Sequence, residues 1–119
     1  MSNVQQSLDS MLGLDGAMCC ALVDANSGMM LGQAGSGLDL ELAAAGNTEV
    51  VRSKLKTMSS LKIADKIEDI LITLGKQYHI IRLVASKQGL FLYYVLDKSR
   101  ANLALARRKA AEVETELAL

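Results

Sequence analysis

The stretch "LFLYYVLD" at residues 90–97 decides the fold. Leu90, Leu92, Tyr94 and Leu96 fall on one pleat face of this strand, and Phe91, Tyr93 and Val95 on the other. Both faces are apolar, so the strand must be covered above and below. Two more apolar runs lead into it, "EDILITLG" (68–75) and "YHIIRLVA" (78–85). Their links, Lys-Gln and Ser-Lys-Gln-Gly, have hairpin length, which predicts three strands joined antiparallel.

The upstream sequence supplies the covers. Val4, Leu8, Met11 and Leu12 recur at helical spacing, and Gly13 offers a stop. "AMCCALVD" (17–24) and "MMLGQA" (29–34) surround an Asn-Ser-Gly turn and read as a hairpin. A helix over 39–58 presents Leu40, Ala44, Asn47, Val51, Leu55 and Met58, widened by Ala43 and Val50, with Asp39 or Ser36 as its cap. A closing helix presents Leu103, Ala106, Ala110, Val113 and Leu117, with Asp97 or Ser99 capping its start. The order is α-β-β-α-β-β-β-α. It predicts an α/β sandwich of the α+β class, a five-stranded antiparallel sheet between helices, as a single domain over 1–119.

The closing helix carries arginines early and glutamates late, against the helix macrodipole. Arg100 and Arg107 border its apolar stripe, which points to snorkelling and local pairing. Leu105 and Arg108 face outward, and Arg108 with Glu112 forms a weak i,i+4 pair. Burial of Leu103, Val113 and Leu117, roughly 1.5–3 kcal/mol each, outweighs the dipole conflict.

Composition narrows the function classes. The net charge is zero with a pI near 6.6, so no global field gathers nucleic acid, and 3% aromatic residues argue against base-stacking platforms. The N-terminus lacks the features of a secretory leader, Ser2 replaces the glycine that myristoylation needs, and no apolar run is long enough to span a bilayer. Cys19 and Cys20 are adjacent in a strand and point to opposite faces, as small buried hydrophobes of a reducing cytosol. A cytoplasmic protein without membrane insertion is expected.

No active site assembles from these residues. His79 is the only histidine and lies in a packed strand, so its role reads as structural. Asp65, Glu68 and Asp69 read as a solvated connector. The glycines of "GQAGSG" (32–37) lack the Lys-Ser/Thr of a phosphate loop. No catalytic residue, cofactor or metal is expected, and the chain is not expected to be an enzyme.

"ILITL" (70–74) follows a helix and so falls at the sheet edge, where a long apolar edge is an aggregation hazard unless paired. Pairing with the same strand of a second copy resolves this through a two-fold axis. The expected homodimer interface is Asp69, Ile70, Leu71, Ile72 and Thr73, with Ala43, Asn47, Val50 and Lys54 of the middle helix. Asn47 and Lys54 would be costly to bury beneath a sheet alone, and Ala43 to Gly46 leave room for a second helix.

"GLDGAMCCALVDANSGMMLGQAG" (13–35), "DILITLGKQYHIIRLV" (69–84) and "FLYYVLDKSRANLALARRK" (91–109) together resemble the roadblock/dynein light chain family. The resemblance implies a roadblock/profilin-like fold that dimerises edge to edge, with the middle helices packing across the axis. It implies a non-catalytic homodimeric adaptor or scaffold that binds and regulates a Ras-like small GTPase. Glu41, Glu49, Arg52 and Lys56 would then form the partner-binding rim. Asp24, Gly28, Gly75, Asn102, Leu103 and Arg107 stand at motif positions with structural roles. The alternative is a ligand-sensing or signalling module of related sheet-and-helix fold, which would need a cavity.

Overall fold

A computed structural model describes residues 3–117. The chain runs α1 (Val4–Met11), β1 (Ala17–Asp24), β2 (Met29–Gly35), α2 (Leu40–Ser60), β3 (Asp69–Thr73), β4 (Gln77–Leu83), β5 (Leu90–Asp97) and α3 (Leu103–Glu116). The five strands form one antiparallel sheet in the order β2-β1-β5-β4-β3. β5 is central, and every residue from Leu90 to Leu96 is buried. Leu92, Tyr94 and Leu96 join Leu8, Met11 and Val113 in the core beneath α1 and α3. Phe91, Tyr93 and Val95 join Leu40, Ala44 and Val51 in the core beneath α2. Cys20 lies in the first core and Cys19 in the second, as strand alternation requires.

Two of the expected strands are shorter than the apolar runs that suggest them. β3 stops at Thr73, because the Leu74 N–H turns to the Gln77 carbonyl (2.8 Å). β4 stops at Leu83, and the Val84 N–H reaches the Leu90 carbonyl (2.9 Å).

Asp39, rather than Ser36, caps α2: its carboxylate accepts the Leu42 N–H at 3.2 Å. The buried face is Leu40, Ala44, Thr48 and Val51. Leu55 and Met58 do not continue it, since Leu55 is 44% exposed and Met58 only half-buried. The cause is length. A helix of 21 residues is roughly 31 Å long, whereas strands of 7–8 residues reach roughly 24–27 Å. The last turns therefore overhang the sheet. The helix ends in a Schellman motif, with Ile63 N–H to the Met58 carbonyl (2.9 Å) and Lys62 N–H to the Ser59 carbonyl (3.1 Å). Lys62 takes the left-handed conformation (φ 59°) usually given to glycine.

α3 is capped by Asn102, not by Asp97 or Ser99: the Asn102 side chain accepts the Leu105 N–H at 3.1 Å. The Asp97 carboxylate is already engaged by the Ser99 N–H (2.9 Å) and hydroxyl (2.7 Å). These hydrogen bonds lower the Asp97 pKa and fold residues 97–99 into a turn before the helix begins. Among the described residues no helix is long and apolar enough to cross a membrane.

Gly16, just before β1, has φ +85°, and a Cβ there would lie 2.7 Å from the Ala101 backbone nitrogen. Gly16→Ala is expected to lower stability by about 1–3 kcal/mol. Lys62→Gly, which relieves a left-handed non-glycine residue, is expected to raise it by about 1 kcal/mol. Urea midpoints of the two variants should move in opposite directions from the parent.

Candidate functional site

Among the described residues β3 pairs with β4 alone, so its outer edge carries backbone groups left unpaired by them. The register sets Ile70 opposite Ile81 and Ile72 opposite His79, on the face that α2 shares. Asp69, Leu71 and Thr73 point to the face shared with α3. The expected interface strand therefore divides between two faces and is continuous only along its backbone edge. α2 packs chiefly on β1 and β2, leaving Ile70, Ile72 and Leu83 only half-buried.

Between α2 and β3 runs an open groove of about 610 Å³, with Val50 and Lys54 on the helix side and Ile67 and Ile70 on the other. Ala43, Asn47, Val50 and Lys54 occupy one flank of α2, at spacings of four, three and four. The structure thus brings this flank and β3 to the same side of the molecule. Gly46 meets open space, and nothing among the described residues requires a glycine there.

Two ion pairs tie this end of the sheet to α3. Arg107 Nε and Nη2 donate to the two Asp69 carboxylate oxygens at 3.0 and 2.9 Å, a bidentate clamp on the first residue of β3. Asp69 is therefore not a solvated residue like Asp65 and Glu68, and Arg107 does more than border an apolar stripe. Next in register to Asp69 is Arg82, which meets the buried Glu114 at 3.4 Å. The second Glu114 oxygen accepts the Ala85 N–H at 3.3 Å. Neither Arg82 nor Glu114 stood out in the sequence. Their signal is a charge inside an apolar strand and another beside the Val113 stripe.

Beneath the same flank of α2 lies a polar chain. His79 Nε2 is 2.8 Å from Gln77 Oε1, and Nδ1 is 2.9 Å from the Tyr93 hydroxyl. Gln77 Oε1 only accepts, which assigns the proton to Nε2 and makes the Tyr93 hydroxyl the donor to Nδ1. From α2, Asn47 donates to the Ala43 carbonyl at 2.8 Å and lies close enough to that hydroxyl to pull its pKa down. Burial pushes the Tyr93 pKa up, with Asn47 pulling against it, and pushes the His79 pKa down. Asn47 is thus half-buried with its amide nitrogen engaged by the Ala43 carbonyl. His79 is neutral at pH 7, with both ring nitrogens engaged.

The other flank of α2 is held by the β1–β2 turn. Asp24 accepts the Asn26 N–H (2.8 Å) on its carboxylate and the Gly28 N–H (2.7 Å) on its carbonyl, and Gly28 has φ +78°. Arg52 Nη2 donates to the Asn26 carbonyl (2.7 Å), and Arg52 lies 3.7 Å from Glu49. Glu41 lines a separate groove against β2, and Lys56 is exposed. The four rim residues therefore do not share the flank of Val50 and Lys54. Among the described residues Gly75 has neither a positive φ nor a neighbour that a Cβ would strike, so they give no reason for glycine at that position.

Burial is the main cause pushing the Cys20 thiol up to about 12, and it raises Cys19 as well, so neither supplies a thiolate. Among the described residues no three His, Cys, Asp or Glu side chains gather to hold a metal.

No protein-family model matches the chain, and no curated protein does. Solved structures do. A Roadblock/LC7 domain from Streptomyces avermitilis superposes with a TM-score of 0.81 at 10% identity, over 96% of this chain and 93% of that one. Myxococcus xanthus MglB gives 0.80 at 18% identity, over 93% and 88%. The gliding protein MglB of Thermus thermophilus gives 0.71 at 17% identity, over 94% and 88%. The chain has the roadblock/LC7 fold.

The lowered pKa of His79 means that the unfolded chain binds this proton more readily than the folded one. The stability so gained is fully present above the unfolded value of 6.5 and is lost as pH falls through the lower folded value. Urea midpoints of the parent should therefore drop on going from about pH 7 to about pH 5, and drop less in His79→Gln. Equal drops would assign the acid sensitivity to other groups.

Proposed function

We propose that the chain is a non-catalytic homodimeric adaptor, a single cytoplasmic roadblock-type domain over 1–119 that binds and regulates a Ras-like small GTPase. The observation that carries this reading is the unpaired edge of β3 beside the incompletely covered face of the sheet. Joining two β3 edges about a two-fold axis satisfies the edge backbone and continues the sheet into a second copy. The same axis brings together the two α2 flanks of Ala43, Asn47, Val50 and Lys54, and Gly46 leaves room for close approach. Asn47 tolerates burial there because its amide nitrogen is already engaged by the Ala43 carbonyl.

The GTPase partner rests on the roadblock/dynein light chain resemblance of the sequence and on the fold shared with the MglB proteins. The docking surface is the outer side of the α2 layer, where Glu41, Glu49, Arg52 and Lys56 place both signs of charge in solvent. No cofactor, nucleic acid or membrane insertion enters this reading. A ligand sensor is less well supported, because the grooves on either side of α2 are open and their walls include exposed side chains.

Light scattering at micromolar concentration should give about twice the chain mass of 12.8 kDa. Ile72→Asp should reduce this to one chain while circular dichroism is retained. A single-chain mass for the parent would overturn the dimer. Immobilised chain should capture a Ras-like GTPase in one nucleotide state, GDP or GTP, in preference to the other, and Lys56→Glu should weaken capture. Absence of capture in both states would remove the GTPase and leave the dimer standing.

A further inference from the structure

The opposite edge of the sheet carries a second apolar surface. Among the described residues β2 pairs with β1 alone, and four strand spacings of about 4.8 Å set it roughly 19 Å from β3. Pairing of two copies through β3 leaves this edge open. Met29 is 66% and Leu31 52% exposed, and Leu38 and Leu42 at the adjoining start of α2 are exposed too. A groove of about 470 Å³ lies between β2 and the first turns of α2, lined by residues 28–33, Glu41 and Ala44. Glu41 is the one charged residue in that lining.

The local backbone decides what can enter. Leu22 pairs with Gly32 and Val23 with Met30, so Leu31 is a bulge residue with no partner in β1. A bulge at an edge interrupts strand addition along its length, and recognition then falls on side chains in the groove. Met29, Met30 and Leu31 offer adaptable apolar contacts, and a lone carboxylate on an apolar wall is complementary to a cation. A small molecule would not be enclosed by an open groove whose walls include the exposed Met29, Leu31, Gln33 and Glu41. A second copy fits poorly as well, since the same lining holds no Lys or Arg to meet Glu41 across a two-fold axis.

We infer that this groove docks a short segment of another protein, one that presents apolar side chains beside a single Lys or Arg directed at Glu41. The segment sits on the flank of α2 away from Val50 and Lys54, so a dimer formed through β3 can carry two of them. The inference does not depend on the GTPase reading, with which it shares Glu41 alone.

A display library of nine-residue peptides selected against the intact chain tests it. Recovered peptides should combine Leu, Ile, Met or Phe with a neighbouring Lys or Arg. Once synthesised, they should shift amide resonances of residues 28–33 and 41–44. Leu31→Asp and Glu41→Lys, each checked for retained circular dichroism and dimer mass, should each weaken binding about tenfold. A peptide with its cation changed to Glu should recover binding to Glu41→Lys. The inference is overturned if no peptide is recovered, if shifts are confined to the α2–β3 flank, or if both variants bind as the parent does.

Discussion

Every other feature of the architecture depends on the two-sided burial of β5. Seven consecutive buried residues, Leu90 to Leu96, place apolar side chains on both faces of one strand. Each contributes roughly 1.5–3 kcal/mol only if a layer closes over it. Neighbouring strands are required on both sides as well, because a central strand has two rows of backbone groups to satisfy. β4 supplies one neighbour through a short hairpin. β1, brought back from the N-terminal hairpin, supplies the other. The far strand of each hairpin, β2 or β3, is thereby pushed to an edge.

The two faces are not covered equally. α1 and α3 share one, and α2 alone serves the other. A helix is about 10 Å across and so spans about two strands at 4.8 Å spacing. One helix cannot close over five strands. α2 settles on β1 and β2, anchored by Arg52 at the Asn26 carbonyl, and the β3 side of that face stays partly bare. The polar chain of Asn47, Tyr93, His79 and Gln77 lies where helical cover thins out. Hydrogen-bonding groups there need not be fully desolvated, and each has a partner within the chain.

What the sequence made legible follows the range of the forces involved. Apolar periodicity is local, and it identified all eight elements and the edge position of β3. It failed where a local rule was overridden by neighbours. The spacing through Leu55 and Met58 is properly helical, but the sheet ends before those residues reach it. Asp97 and Ser99 are good capping residues that are used up by one another, which leaves Asn102 to cap. The Asp69–Arg107 and Arg82–Glu114 pairs span 38 and 32 residues of sequence, so no periodicity could reveal them. Asn47 was singled out as a polar residue on an apolar face. The Tyr93–His79–Gln77 chain beside it became visible only when the fold set those side chains together.

The same pairs explain the charge order of α3. Alone, early arginines and late glutamates are an unfavourable arrangement. Beneath the helix, however, β3 and β4 already carry Asp69 opposite Arg82. α3 lies over them so that Arg107 meets Asp69 and, seven residues and about two turns further on, Glu114 meets Arg82. Reversing the two charges would suit the macrodipole and set like charges together at both positions. Hydrogen-bonded partners at about 3 Å act more strongly than a dipole that fades beyond the terminal turns. Arg107 keeps half its surface in water and Glu114 is buried, so the two contacts differ in kind. The first is a screened clamp on the edge strand. The second fills a place in the core where a charge without Arg82 and the Ala85 N–H would be costly. The sheet register, more than helix electrostatics, dictates where α3 puts its charges.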